Sequence, residues 1–181
     1  MYTTKKIIKT VKTRDYLSDY VNINSNLDYC IQCPNYNRNW ACPVYDFNVE
    51  EIFKKYRNLD IYAVKIDFDS KDVGDKLEGE AKAILRKSLD KEKRLLHNEL
   101  LSKESSRHNS KALIPNQCKL CKGCSRITGG DCVYPNKSRY SFEGFGGDLE
   151  KTASGIFNIP MKWVIANKIP EYTIIFGGLL Y

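Results

Sequence analysis

Ile61-Tyr62-Ala63-Val64-Lys65-Ile66-Asp67-Phe68 is the stretch that decides the fold class. It is rich in β-branched and aromatic residues, and Val64, Ile66 and Phe68 alternate with Lys65 and Asp67. It therefore reads as a strand with one face largely buried. Before it, Asn48 caps a helix through Ile52, Phe53 and Tyr56, with Glu50 and Glu51 placed well for the positive end of the helix dipole. Further back, Lys5 to Lys12 mixes charged with β-branched residues (Ile8, Thr10) and reads as an edge strand. Thr13 then caps a short helix carrying Tyr16, Leu17, Tyr20 and Val21.

Beyond the strand, no proline interrupts the chain from about Lys71 to Ser105, and Ile84, Leu85, Leu89, Leu96 and Leu100 recur at near-helical spacing. The pattern predicts a long amphipathic helix whose first turns Gly74 and Gly79 weaken. Ala112-Leu113-Ile114 reads as a short strand. Ser138 to Phe145 reads as a helical turn, Gly144, Gly146 and Gly147 mark a bend, and Leu149 to Phe157 forms another short helix. Met161-Lys162-Trp163-Val164-Ile165-Ala166 and Tyr172-Thr173-Ile174-Ile175-Phe176 are two β-rich runs that form a hairpin or enter a sheet separately. The expected fold is a single α+β domain over residues 1–181. A small, mostly antiparallel sheet is covered by helices, and two cysteine-rich metal-binding loops lie near one end of it.

The bulk composition excludes several classes. With 42% hydrophobic and 28% charged residues over 181 positions, the chain can bury a sizeable core and is not disordered. No apolar run spans a bilayer, and the start, Met1 to Lys9, has no apolar segment of a secretory signal. The expected location is the cytoplasm. The formal charge is +7, and Lys82 to Lys111 holds nine basic against four acidic residues. Such a stretch reads first as a solvated helix face. No nucleic-acid motif accompanies it, so a nucleic-acid partner is not expected.

The seven cysteines carry the chemistry. Clustered cysteines in a chain without signs of export point to metal or redox work rather than to a disulfide framework. The second group is Cys118-x2-Cys121-x2-Cys124-x7-Cys132, with Pro135 shortly after. Two-residue gaps let successive thiolates wrap one centre in a tight loop, and three in a row suit the corners of a cube better than one tetrahedral ion. A further cysteine followed by proline is similar to the arrangement in bacterial ferredoxins. Structural zinc is the rival, but zinc knuckles come as two separate Cys-x2-Cys pairs, so the spacing favours a 4Fe-4S cluster. Lys119, Lys122 and Arg126 offset the negative charge of such a centre.

The first group, Cys30-x2-Cys33-Pro34 and Trp40-Ala41-Cys42-Pro43, offers three thiolates. Either one iron of a second cluster stays open to substrate, or Asp28, Asp46 or a cysteine of the other group closes the site. His97 and His108 lie in or just after the long helix and are not local candidates. Tyr29, Tyr36, Trp40 and Tyr45 shield a cluster or pack in the core.

These residues resemble the DUF2284 family of predicted metal-binding proteins. The resemblance rests on Tyr29-Cys30-x2-Cys33-Pro34-x-Tyr36-x3-Trp40-x-Cys42-Pro43. It also rests on Ala112-Leu113 leading to Cys118-Lys119-Leu120-Cys121-x2-Cys124, Cys132-x2-Pro135, then Arg139, Ser141, Glu143 and the Trp163 and Tyr172 segments. It implies metal binding through the cysteines. Three functional expectations follow. The first is a 4Fe-4S protein, with one or two clusters, that exchanges electrons with a redox partner or serves a reductase. The second is a zinc-stabilised module that recruits an acidic partner or nucleic acid through its basic helix. The third is an enzyme with an open iron at Cys30, Cys33 and Cys42. No dinucleotide fingerprint or P-loop is present.

Overall fold

The structure is a computed structural model that describes residues 2–74, 79–165 and 168–181. In chain order the elements are β1 (Tyr2–Lys12), α1 (Thr13–Tyr20), α2 (Ile23–Gln32), α3 (Val49–Lys54), β2 (Asn58–Phe68), α4 (Gly79–Ser105), β3 (Lys111–Leu113), α5 (Leu149–Lys151) and β4 (Tyr172–Leu180). The four strands form one sheet in the order β1-β2-β4-β3, and every neighbouring pair is antiparallel. This is the expected α+β class.

β2 lies inside the sheet, and it is buried on both faces rather than one. Leu59, Ile61 and Ala63 face a core built with Tyr16 of α1, Val49 and Phe53 of α3, and Phe142, Phe145 and Phe176. Tyr62, Val64, Ile66 and Phe68 face a second core under Leu85, Leu96 and Leu100 of α4. Alternation in a strand separates two faces but says nothing about which of them meets water, and helices here cover both. Each fully buried Ile or Phe contributes about 1.5–3 kcal/mol.

β4 continues past Phe176 through Gly177 and Gly178 to Leu180. Both glycines are required by close approach. A Cβ on Gly177 would come within 2.6 Å of Leu100 of α4, and one on Gly178 within 3.0 Å of Leu59 and Phe142. Helix and loop can therefore press onto the sheet from opposite sides at adjacent residues.

Several local expectations shift. Thr13 is the first residue of α1 and not its cap, and its hydroxyl is buried without a hydrogen-bond partner. Asn48 does cap α3, accepting from the Glu50 N–H at 2.8 Å. The long helix begins at Gly79; residues 71–74 form a turn with Gly74 at φ +83°, and residues 75–78 of the expected helix lie outside the described residues. The run from Met161 to Ile165 is not a strand, and its Ala166 lies outside the described residues. No hairpin forms with it, because β4 pairs with β2 and β3 instead. No helix among the described residues is long and apolar enough to cross a membrane.

α4 does more than cover the sheet. Beside its apolar stripe runs a polar one, at residues 90, 93, 97 and 104, spaced for one helix face. Asp90 pairs with Lys119 at 3.3 Å, and His97 Nε2 donates to the Lys137 carbonyl at 3.2 Å. Glu104 binds the Arg139 guanidinium at 2.7 Å, and Lys93 lies within electrostatic reach of Glu143. The helix thus holds the second cysteine group at Lys119 and the chain just after it.

Candidate metal centres

Cys30 sits in the last turn of α2, where the sequence predicts a loop. From there consecutive tight turns wind the chain back on itself: Cys33 N–H donates to Cys30 O (2.9 Å), Tyr36 to Cys33 O (3.1 Å) and Cys42 to Asn39 O (2.9 Å). Asn37, at φ +53°, donates to Cys42 O at 2.8 Å and closes the loop. The Cys42 thiol donates to Ser141 Oγ at 3.4 Å, and Ser141 N–H donates to Ala41 O at 2.8 Å. Ser141 Oγ also accepts from Gly144 N–H at 2.8 Å. Gly144 leaves room for this arrangement, since a Cβ there would lie 2.5 Å from Ser141 Oγ and 2.8 Å from Tyr45 Oη.

Cys30 and Cys42 share the wall of a cavity of about 540 Å³ with Leu27, Tyr36, Val44 and Tyr45. Burial pushes the Cys42 thiol up to about 12, and the neighbouring Glu143, Cys33 and Cys30 add to the rise. Burial raises Cys30 as well, helped by Cys33 and Glu143. Cys30 and Cys42 therefore sit in an environment that disfavours free thiolates, with Cys33 within electrostatic reach of both.

In the second group, Cys118, Cys121, Cys124 and Cys132 line one narrow hollow with Trp40 and Tyr134. Burial raises the Cys118 thiol, and Cys132, Cys121 and Cys124 are the charges that add to it. A short 3-10 turn at Ser125–Thr128, closed by Gly129 at φ +76°, brings Cys132 back toward Cys124. From Asn116 to Tyr140 no residue is fully buried, so this segment has no apolar core of its own.

The two groups meet beyond the end of β3, where Ile114 pairs in parallel with Ser141. Asn39 joins them. Its Oδ1 accepts from Ala41 N–H at 2.9 Å and from Cys118 N–H at 3.2 Å, while Nδ2 donates to Cys118 O at 3.2 Å. Trp40 Nε1 donates to Gly130 O at 3.3 Å, and Arg126 lies over the Trp40 ring and donates to Asn37 Oδ1 at 2.6 Å. Asn39→Ala leaves the buried Ala41 N–H and the Cys118 N–H without acceptors. We expect a loss of about 2–3 kcal/mol in denaturant unfolding; a loss below about 0.5 kcal/mol would show that Asn39 does not join the loops.

Several expectations need correction. Asp28 and Asp46 are exposed and line neither cavity with the cysteines. Lys119 pairs with Asp90, whereas Arg126 meets only the neutral Asn37 and Trp40 and keeps its charge beside the second group. Tyr29 is 76% exposed, whereas Tyr45 packs on Phe47, Tyr140 and Phe145. Asn39 and Glu143 were missed as site residues. A polar residue just before the Trp40-Ala41-Cys42 run was the only sequence sign of Asn39.

All seven cysteines are free. Among the described residues, no three His, Cys, Asp or Glu side chains stand close enough together to hold one metal ion. The donor chemistry nevertheless fits a thiolate-bound centre. Four thiols surround one hollow, and near the other three the Tyr45 hydroxyl is buried with no hydrogen-bond partner, within electrostatic reach of Cys42 and Cys30. A buried hydroxyl left unpaired costs about 1–3 kcal/mol, and a metal-bound thiolate beside it is an acceptor.

One family profile, described as predicted metal-binding protein (DUF2284), matches residues 18–181. The chain belongs to the DUF2284 family. The match takes in both cysteine groups and leaves out β1 and the start of α1. No curated protein and no solved structure matches the chain. The description of DUF2284 carries metal binding without specifying the metal.

Proposed function

We propose that this chain is a single-domain cytoplasmic protein that holds a 4Fe-4S cluster on Cys118, Cys121, Cys124 and Cys132 and a second centre on Cys30, Cys33 and Cys42. It would serve electron transfer, as a carrier or as a subunit of a reductase. The convergence of four cysteines on one hollow carries the reading. The segment that bears them lacks an apolar core, and segments of that kind are held by metal or disulfide. The cysteines are free, which leaves metal. A bound cluster supplies one-electron chemistry; the chain supplies the rest.

The residues around the group suit that role. Trp40 and Tyr134 wall the hollow and limit water, which sets a cluster's potential. Ile127, Val133 and Tyr134 are exposed apolar residues beside Cys124 and Cys132, the kind of surface a redox partner docks on. Anaerobic purification tests the reading. A brown protein absorbing near about 400 nm, with iron and sulfide in the fraction, is the expected result. A colourless protein with one zinc per chain would replace it by the zinc-stabilised module.

A further inference from the structure

A cavity of about 540 Å³ lies between α2 and the chain from Pro43 to Val49, and electron transfer makes no use of it. Leu27, Tyr36, Val44 and Phe47 line it, with Cys30 and Cys42. Leu27 and Val44 are also exposed, which puts two apolar side chains at its opening. Among the described residues Glu50 is the one carboxylate that lines it, and Glu50 is exposed. Glu143, Asp148 and Glu150 line a different cavity, of about 620 Å³, that also borders Cys30. Protein interiors pack to few voids, whereas small-molecule sites are mostly apolar clefts of about 300–1,000 Å³ with a few placed polar groups.

The placed polar group is the Tyr45 hydroxyl. Tyr45 lines the cavity, and its Oη is buried without a hydrogen-bond partner. Gly144 lines it too, and a Cβ there would lie 2.8 Å from Tyr45 Oη, so the hydroxyl stands against that wall. The Tyr45 ring is held by Phe47, Tyr140 and Phe145, with centroids 5.2, 5.3 and 5.5 Å away. An unpaired buried hydroxyl is costly, and a ligand that pairs with it removes the cost. A phenol oxygen gives one proton and accepts on two lone pairs. It therefore matches a ligand hydroxyl, which does both, even where a cysteine thiolate takes its proton. The rings of Tyr36, Tyr45 and Phe47 in the lining suit a flat ring in offset or edge contact. Among the described residues no lysine or arginine lines the cavity, so nothing there would compensate a bound anion.

We propose that this cavity binds a small neutral aromatic molecule bearing a hydroxyl group, with the ring among Leu27, Val44 and Phe47 and the hydroxyl paired with Tyr45 Oη. Cys30 and Cys42 share the lining, so the ligand lies beside the first cysteine group. The inference does not need that group to hold metal.

The test uses the anaerobically purified full chain and three probes of similar size in sealed equilibrium dialysis: para-cresol, para-xylene and benzoate. Para-xylene puts a methyl group where para-cresol has its hydroxyl, and benzoate carries a charge. Para-cresol is expected to bind with a dissociation constant of about 1 mM or tighter, para-xylene with one about fivefold higher or more, and benzoate not measurably. Tyr45→Phe removes only the unpaired hydroxyl, so it should keep the fold and bind para-cresol no better than para-xylene. Val44→Trp, at an exposed position, should fill the opening and weaken binding of both about tenfold or more. Four results would each overturn the proposal: no binding of para-cresol, equal binding of para-cresol and para-xylene by the wild type, a preference for para-cresol that survives Tyr45→Phe, or binding undiminished by Val44→Trp. Benzoate binding ahead of para-cresol would overturn it in favour of an anion site.

Discussion

Cys121→Ser is expected to empty the second centre and to lower the thermal midpoint of the loaded protein by more than any other single cysteine change. Cys121 is the middle thiol of the Cys118, Cys121, Cys124 run and lines the hollow shared by all four. Serine cannot replace a thiolate toward a soft metal centre. The effect is large because of what the segment lacks. Between Asn116 and Tyr140 no side chain is fully buried, and regular structure is limited to the 3-10 turn at Ser125–Thr128. Its order rests on polar contacts with the rest of the chain: Asn39 on Cys118, Asp90 on Lys119, Asn37 on Arg126, Trp40 on Gly130 and His97 on Lys137. Metal binding to such a segment is folding energy, about 10–16 kcal/mol for the smallest zinc-organised domains. Here both apolar cores lie outside the segment, so the rest of the chain is expected to stay folded without it. Elemental analysis, melting with and without metal, and limited proteolysis between residues 116 and 140 check the prediction. An unchanged metal content with an unchanged midpoint would sink it.

The cores themselves were readable because their signals are local. Alternation gave β2, period gave α4, and Asn48 followed by Glu50 and Glu51 gave the cap of α3. What sequence could not show is which surfaces meet. β2 is covered twice because α4 returns over the face that alternation left free. β4 runs on through Gly177 and Gly178, where local propensity stops it, because the close approach of Leu100 and Phe142 needs residues without a Cβ. Cys30 lies in the last turn of a helix, α2, where the sequence predicts a loop. The cysteine spacing announced two groups of candidate metal ligands. Nothing in it announced that Asn39 joins them or that Glu143 comes within electrostatic reach of Cys30 and Cys42, since both act across long stretches of chain.

The polar stripe of α4 is the part of the site most hidden from sequence, and Glu104→Ala is expected to expose its importance. Glu104 accepts from Arg139 Nε at 2.7 and 3.0 Å, from Arg139 Nη2 at 2.7 Å and from the buried Ala112 N–H at 2.8 Å. Removing the carboxylate leaves a half-buried guanidinium without its counter-charge and the β3 residue Ala112 without an acceptor. Breaking a fully buried pair costs about 3–5 kcal/mol, and since 24% of the Arg139 side chain is exposed we expect about 2–4 kcal/mol here. Glu104→Gln keeps an acceptor for Ala112 and should lose about half as much. A double-mutant cycle with Arg139→Met should give a coupling above about 1 kcal/mol. Arg139 Nη1 also binds the carbonyls of Asn136 and Ser138, just past the last cysteine. The substitution should therefore speed metal loss from the second centre although Glu104 touches no cysteine. A stability change under about 1 kcal/mol, with metal retained as in the wild type, would mean that α4 merely covers the sheet and does not hold the cysteine segment.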